Sequence, residues 1–285
     1  MRIKVMHQLL LGLLLTAAIT VPLSAATFVE ISDDFSTLGS LTGTSTDAGS
    51  ATWSNISGTS GSITTGSGVV SLSTSPSEST QVNFTSGSGD LTTGTLYLGF
   101  TFTANIASIS TSATIQSIAG FRTGTNASGS FALGFGTIRP SGAGATALGL
   151  PTTSTSQVAV GIFSGSSSST AIGGWASPLT QGTSYRIVIG LDLDNNVATL
   201  WIDPTSTSST SVTLSGITAD VRGAFLRQGN ASTGNSTLDN LIVSQTFATA
   251  SAVPEPATYA FFGGLAVLGL AAFRRRPSSL RSSAP

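Results

Sequence analysis

"YRIVIGLDLDNNVATLWIDP", Tyr185 to Pro204, is the stretch on which the fold turns. Tyr185, Ile187, Ile189, Leu191 and Leu193 fall on alternate positions, and "VATLWID" continues with the same two-residue period. Alternation of that kind marks half-buried strands, because successive side chains leave a strand on opposite faces. Asp194, Asn195 and Asn196 between the runs are turn formers, since their short side chains bond their own backbone. The segment therefore reads as a β-hairpin. Asp192, Asp194 and Asn196 also have the spacing of alternate oxygens in a calcium loop. However, Val197 stands where such a loop needs glycine, and no glutamate closes it. The turn is the stronger reading, with calcium as the alternative use of those three residues.

The same period recurs on either side. In "TGTLYLGFTFTAN", Leu96, Leu98, Phe100 and Phe102 share one face, and Tyr97, Gly99 and Thr101 the other. Phe131, Leu133 and Phe135 alternate in "SFALGFGTI", as do Val158, Val160 and Ile162 in "QVAVGIF". "STLDNLIVSQTF" is a further strand candidate. Between them lie Gly, Ser, Asn and Asp clusters such as "SGTSGS" and "SGAGAT", which are turn signals. No sustained helical period and no fixed repeat occurs in this region. About a dozen short strands with turns predict one all-β domain over residues 27–250, a single antiparallel β-sandwich.

The order "ISDDFS", then "YRIVIGLDLDNNVATLWIDP", then "STLDNLIVS" resembles the laminin-G-like or concanavalin-A-like jelly-roll domains of bacterial surface proteins. The resemblance implies that the first and last strands are neighbours in one sheet. Asp34-Phe35 and Asn240-Leu241 would then lie close together.

The two ends differ from this body. Residues 1–26 have Arg2 and Lys4 ahead of an apolar run, Leu9 to Ile19, followed by Ser24-Ala25-Ala26. That layout is a secretory signal peptide, read as a short helix cleaved near Ala26. Residues 251–285 contain "VPEPATYAFFGGLAVLGLAAFRRRP". Residues 257–273 carry no charge and, as a helix, would be about 25 Å long, close to a bilayer core of about 30 Å. Arg274, Arg275 and Arg276 would then remain among cytoplasmic headgroups. Pro254 and Pro256 hold Glu255 in extended backbone just ahead of that helix.

Pro254, Glu255 and Pro256, the short apolar run and the three arginines together closely resemble the PEP-CTERM sorting signal of Gram-negative bacteria. The resemblance implies an exosortase-type protease as partner and anchoring in the cytoplasmic membrane before processing. Delivery to the envelope, surface or extracellular matrix would follow, with extracellular polysaccharide as a contact of the body.

Composition narrows the chemistry. The whole chain carries a net charge of −1, but the segment between the ends has five arginines against eleven acids. Nucleic-acid binding needs a clustered basic surface, so that class is excluded. There are no cysteines, and the single histidine, His7, and single lysine, Lys4, both lie in the signal peptide. The mature body then has no imidazole, thiol or amine for a catalytic triad, a Ser-Lys pair or a His/Cys zinc site. A carboxylate-pair glycosidase survives this filter, but Glu30 and Glu78 are the body's only glutamates and lie far apart in sequence. Trp53, Trp175 and Trp201 are the only tryptophans. Trp201 falls in a strand and reads as core. Trp175, in "AIGGWASP", reads as a loop residue covering the sandwich edge, with sugar stacking as the alternative. The expectation is a non-catalytic, cofactor-free exported surface or matrix protein. The alternatives are a carbohydrate-binding adhesin and a concanavalin-fold glycoside hydrolase.

Overall fold

Residues Ser184–Asp192 and Val197–Ile202 pair antiparallel from Asp192↔Val197 to Ile187↔Ile202, forming the hairpin the alternation predicts. A computed structural model describes residues 26–86, 89–106, 116–124, 131–138, 156–165, 172–229 and 234–252. Residues 1–25, Pro254, Glu255, Pro256, the 257–273 segment and Arg274–Arg276 lie outside the described residues. Among the described residues no helix is long and apolar enough to cross a membrane.

The described strands begin with β1 (Thr27–Phe28), β2 (Ile31–Asp33), β3 (Gly39–Ser40), β4 (Ser54–Gly58), β5 (Thr64–Gly66) and β6 (Val69–Ser71). Next come β7 (Glu78–Asn83), β8 (Thr85–Ser86), β9 (Thr95–Thr103), β10 (Gln116–Arg122), β11 (Phe131–Ile138) and β12 (Gln157–Ser164). The last are β13 (Ile172–Gly174), β14 (Leu179–Thr180), β15 (Ser184–Asp192), β16 (Val197–Ile202), β17 (Ser211–Ser215), β18 (Gly223–Gln228) and β19 (Thr237–Ser244). One sheet runs β17-β16-β15-β9-β19-β6-β5-β3, with β2 also on β19. The other runs β13-β12-β11-β10-β18-β7-β4, with β14 beside β12, and β1 and β8 form a separate ribbon.

The two large sheets face each other across one core. Leu96, Leu98, Phe100 and Phe102 of β9 are all buried. The rings of Phe100 and Phe102 meet Phe135 of the opposite sheet edge to face, at 5.5 and 5.4 Å between centroids. Burying side chains of this size stabilises by about 1.5–3 kcal/mol each. The predicted antiparallel sandwich is therefore present.

One expectation needs correction. "STLDNLIVSQTF" is not a strand throughout: β19 stops at Ser244, and Phe247–Ser251 is a single helical turn. The Ser244 hydroxyl accepts the Thr246 amide at 3.1 Å, which turns the backbone out of the ladder. Trp201 is buried as expected, in a second, smaller apolar cluster on the outer face of its sheet. Ala198 and Leu200 belong to the main core and Ile202 packs against it, so period two sends residue 201 the other way.

Candidate functional site

The pairing of β2 with β19, Leu241 opposite Asp33, brings the two ends of the body together as the resemblance implied. Ser32, Asp33, Asp34, Asp47, Asn240, Leu241 and Ile242 line a shallow hollow there. Asp33 is buried, its Oδ2 accepting the Trp53 indole N–H at 2.7 Å and its Oδ1 the Phe35 amide at 2.8 Å. Asp34 accepts the Ser36 amide at 2.9 Å, and its own amide donates to Asp47 Oδ2 at 2.7 Å. Phe35 (φ 55°) and Asn240 (φ 50°) both hold left-handed backbone at this corner. The Asp33–Phe35 bond closes the turn in which the buried Phe35 packs near Trp53, 6.2 Å between rings.

Each of Asp33, Asp34 and Asp47 offers an oxygen within 4.8 Å of the others, so these residues could hold a cation. Burial raises the Asp33 pKa, against the Trp53 and Phe35 hydrogen bonds. Burial also lifts Asp47, with the Asp34 charge adding to it, so its pKa stands above the ordinary value. At Asp34 the Ser36 hydroxyl and amide outweigh burial and hold the pKa down. A carboxyl with a raised folded-state pKa favours folding at low pH, and that contribution is lost as pH rises through the raised value. Asp47→Asn keeps the acceptor for the Asp34 amide and removes one charge. It is expected to raise stability above that pKa by a few tenths of a kcal/mol, because both groups are solvent-screened. Thermal melts of both proteins across pH 3–8 check this: the curves should converge at the acid end.

Sequence reading found only half of this corner. Asp34 and Asn240 came from the expected strand neighbourhood, but Asp47 sits in "TSTDAGS", a loop with no periodicity to place it.

Asp192, Asp194 and Asn196 are together at the β15–β16 turn. Asp192 Oδ1 accepts the amides of Asp194 (3.1 Å) and Asn195 (3.0 Å), and Oδ2 accepts the Asn195 side chain (2.8 Å). The Asn195 side-chain bond is the main cause of a lowered Asp192 pKa. Asp194 Oδ2 accepts the Gly94 amide at 3.1 Å, and Asn196 turns the chain at φ 55°. The Asp192 carboxylate thus braces the turn itself, and that of Asp194 ties the turn to the start of β9. Trp175 is half-buried against the main core, and its amide donates to Val160 O at 2.9 Å.

The glutamates do not form a pair. Glu30 Oε2 accepts the Ser244 hydroxyl at 2.7 Å. Glu78 is buried elsewhere, its Oε1 accepting from Thr42 (2.8 Å), Gly61 (2.9 Å) and Asn55 (3.3 Å), and its Oε2 from Ile63 (2.5 Å) and Ser62 (2.9 Å).

The last described feature is the turn Phe247–Ser251, docked on the outer face of the first sheet. Phe247 packs edge to face on Trp201 (5.0 Å) and Tyr97 (5.6 Å), and Ala250 is buried against Val188 and Trp201. The buried Arg186 donates from Nη1 to Asn240 O at 2.7 Å and from Nη2 to Ala250 O at 2.6 Å. Burial pushes its pKa down to about 10, with Asp239 opposing. Ala252, one residue beyond the turn, opens a stretch matched by the family model described as "PEP-CTERM protein-sorting motif", which covers residues 252–276.

The chain carries a PEP-CTERM sorting motif. The motif includes Pro254, Glu255 and Pro256 and the three arginines, and it implies exosortase processing and an exported, envelope-associated protein. No curated protein matches the chain. Among solved structures, the chain is similar to a Trypanosoma rangeli sialidase in complex with 2,3-difluorosialic acid. That match has 10% identity and a TM-score of 0.39, over 78% of this chain and 31% of the sialidase. It is similar also to the globular domain of T. cruzi calreticulin (9% identity, TM-score 0.40, 87% of this chain and 95% of that one). A third is lectin II from Ulex europaeus (11% identity, TM-score 0.34, 76% and 97%). The chain thus spans about a third of the length of the sialidase.

Proposed function

We propose that this protein is an exported, non-catalytic component of the cell surface or extracellular matrix. In this reading an exosortase-type protease processes it at its PEP-CTERM motif. Before processing, residues 257–273 anchor it in the cytoplasmic membrane with Arg274, Arg275 and Arg276 on the cytoplasmic side. The observation that carries the proposal is the three-part motif matched over residues 252–276. The body supports a structural role. It has no histidine, cysteine or lysine once residues 1–26 are removed, and its buried Glu78 is fully engaged by neighbouring donors. Arg222 Nε pairs with Asp90 Oδ1 at 2.7 Å, and with only five arginines between residues 27 and 252 little of the fold's cohesion is subject to salt screening.

Fractionation of cells making the full chain and a version lacking residues 253–285 tests the assignment. The full chain should be found first with the membrane and then, shortened, in the envelope or matrix. The truncated protein should be released in soluble form. A full-length precursor that is freely soluble, or a truncation that leaves the distribution unchanged, would overturn it.

A further inference from the structure

We propose that the turn Phe247–Ser251 is a latch that sets where the sorting motif leaves the folded body, with Arg186, Gly99, Tyr97 and Trp201 as positioning residues for processing. The inference rests on the reading of residues 252–276 as a processed signal.

A helix of five residues does not hold itself together, because nucleating a turn costs more than its few hydrogen bonds return. Here Thr246 makes no side-chain cap and the first turn has no acidic residue, and the local bonds, such as Thr246 Oγ1 with Thr249 Oγ1 at 2.7 Å and the Ala252 amide to Ala248 O at 3.1 Å, are too few to hold it alone. The support comes from the sheet beneath. The outward positions of β9, β15 and β16 would ordinarily be polar, yet Tyr97, Val188 and Trp201 form an apolar patch there that the turn covers. Gly99 lies under the turn, and a Cβ at that position would collide with the Ala250 carbonyl oxygen and come within 2.7 Å of Arg186 Nη2. The absence of a side chain at residue 99 is what lets the turn lie flat on the sheet.

Arg186 completes the contact. Carbonyls in the last turn of a helix lack intrahelical donors, and the Arg186 fork supplies one to Ala250 O. Its other arm goes to Asn240 O, in the bulge of β19 between Asp239 and Ile242. The guanidinium therefore ties the final strand to the segment that follows it through two charge-assisted bonds.

The matched motif begins at Ala252, two residues after the pinned Ala250. Four residues from Ala250 to Pro254 reach at most about 14 Å, whereas ten residues from Ser244 would reach about 35 Å. The latch thus confines the motif to a short tether from a rigid surface. Undocking it would let Pro254–Pro256 range more than twice as far.

The test is pulse-chase processing of the full-length chain in a host that carries an exosortase, with the mature C-terminus read by mass spectrometry. Phe247→Ser removes the aromatic anchor without touching the sheet. Insertion of Gly-Gly-Ser between Ser251 and Ala252 leaves the latch in place and only lengthens the tether. Both should slow conversion of precursor at least threefold, and Glu255→Ala should block it. Wild-type rates and the same mature end in the insertion variant, with Glu255→Ala still blocked, overturn the positioning role and leave the sorting assignment standing. Normal conversion of Glu255→Ala overturns the sorting assignment, and the latch's role in processing falls with it.

Discussion

Glu78→Ala is expected to lower the unfolding free energy by about 4 kcal/mol, a large share of the roughly 5–15 kcal/mol that holds an ordinary domain folded. The carboxylate lies at the end of β7, where it gathers the 60s loop onto the sheet through the amides of Gly61 and Ile63 and the hydroxyls of Thr42 and Ser62. Removing it strands buried donors, each costing about 1–3 kcal/mol when left unpaired. The loss extends further, because Ser62 Oγ also receives Gln228 Nε2 at 3.0 Å and Gln228 Oε1 receives the Ser73 amide at 3.0 Å. Urea denaturation of the two proteins measures the effect, and a midpoint within experimental scatter of wild type would refute it. The pH dependence follows from the same contacts. Burial pushes the Glu78 pKa up, but the Ile63 and Gly61 amides and the Thr42 and Ser62 hydroxyls push harder, and the net shift is downward. A depressed carboxylate contributes stability above its unfolded-state pKa, and that contribution is lost as pH falls through the lower folded-state value. Wild type should therefore lose stability on acidification at Glu78 while Asp33 and Asp47, with raised values, act in the opposite sense.

Gly120→Ala is expected to cost at least about 3 kcal/mol, the upper range for forcing atoms into a packed interior. Gly120 sits in β10 between Gly134 of β11 and Phe225 of β18. Even a methyl group there would overlap the Leu133 carbonyl oxygen and come within 2.9 Å of both Gly134 Cα and Phe225 Cε1. Backbone and a wedged ring cannot yield as a flexible surface side chain would, so the strands must separate. Gly66→Ala is the control, since nothing lies within 4 Å of its added Cβ. Thermal melting should show a large drop for residue 120 and almost none for residue 66. Equal melting temperatures would refute the account.

Strands with strict alternation were legible from sequence because one face of each meets the core and the other meets solvent. The β9 and β15–β16 readings depended on nothing else. β10 and β18 escaped notice for the opposite reason: "QSIAGFR" and "GAFLRQ" are buried on both faces or nearly so, and lose the period. β4, β5 and β6 are short and built mostly from Ser, Thr, Gly and Val, with Asn55 and Ile56 in β4, a composition close to that of the loops. The sorting motif was fully legible because three local features stand in fixed order. The acidic corner was not, because Asp47 reaches Asp34 only through tertiary folding. The helical turn was invisible as well. Phe247 and Ala250 have a face only because Tyr97, Val188 and Trp201 offer one.

β19 is bonded along both edges, to β9 on one side and to β6 and β2 on the other. It is also the last strand before the docked turn and the tail. A pull applied through the tail would first have to lift the docked turn, and only then would it reach an interior strand and load both ladders in shear together. An edge strand in that place would be peeled away bond by bond; this one must be drawn out whole.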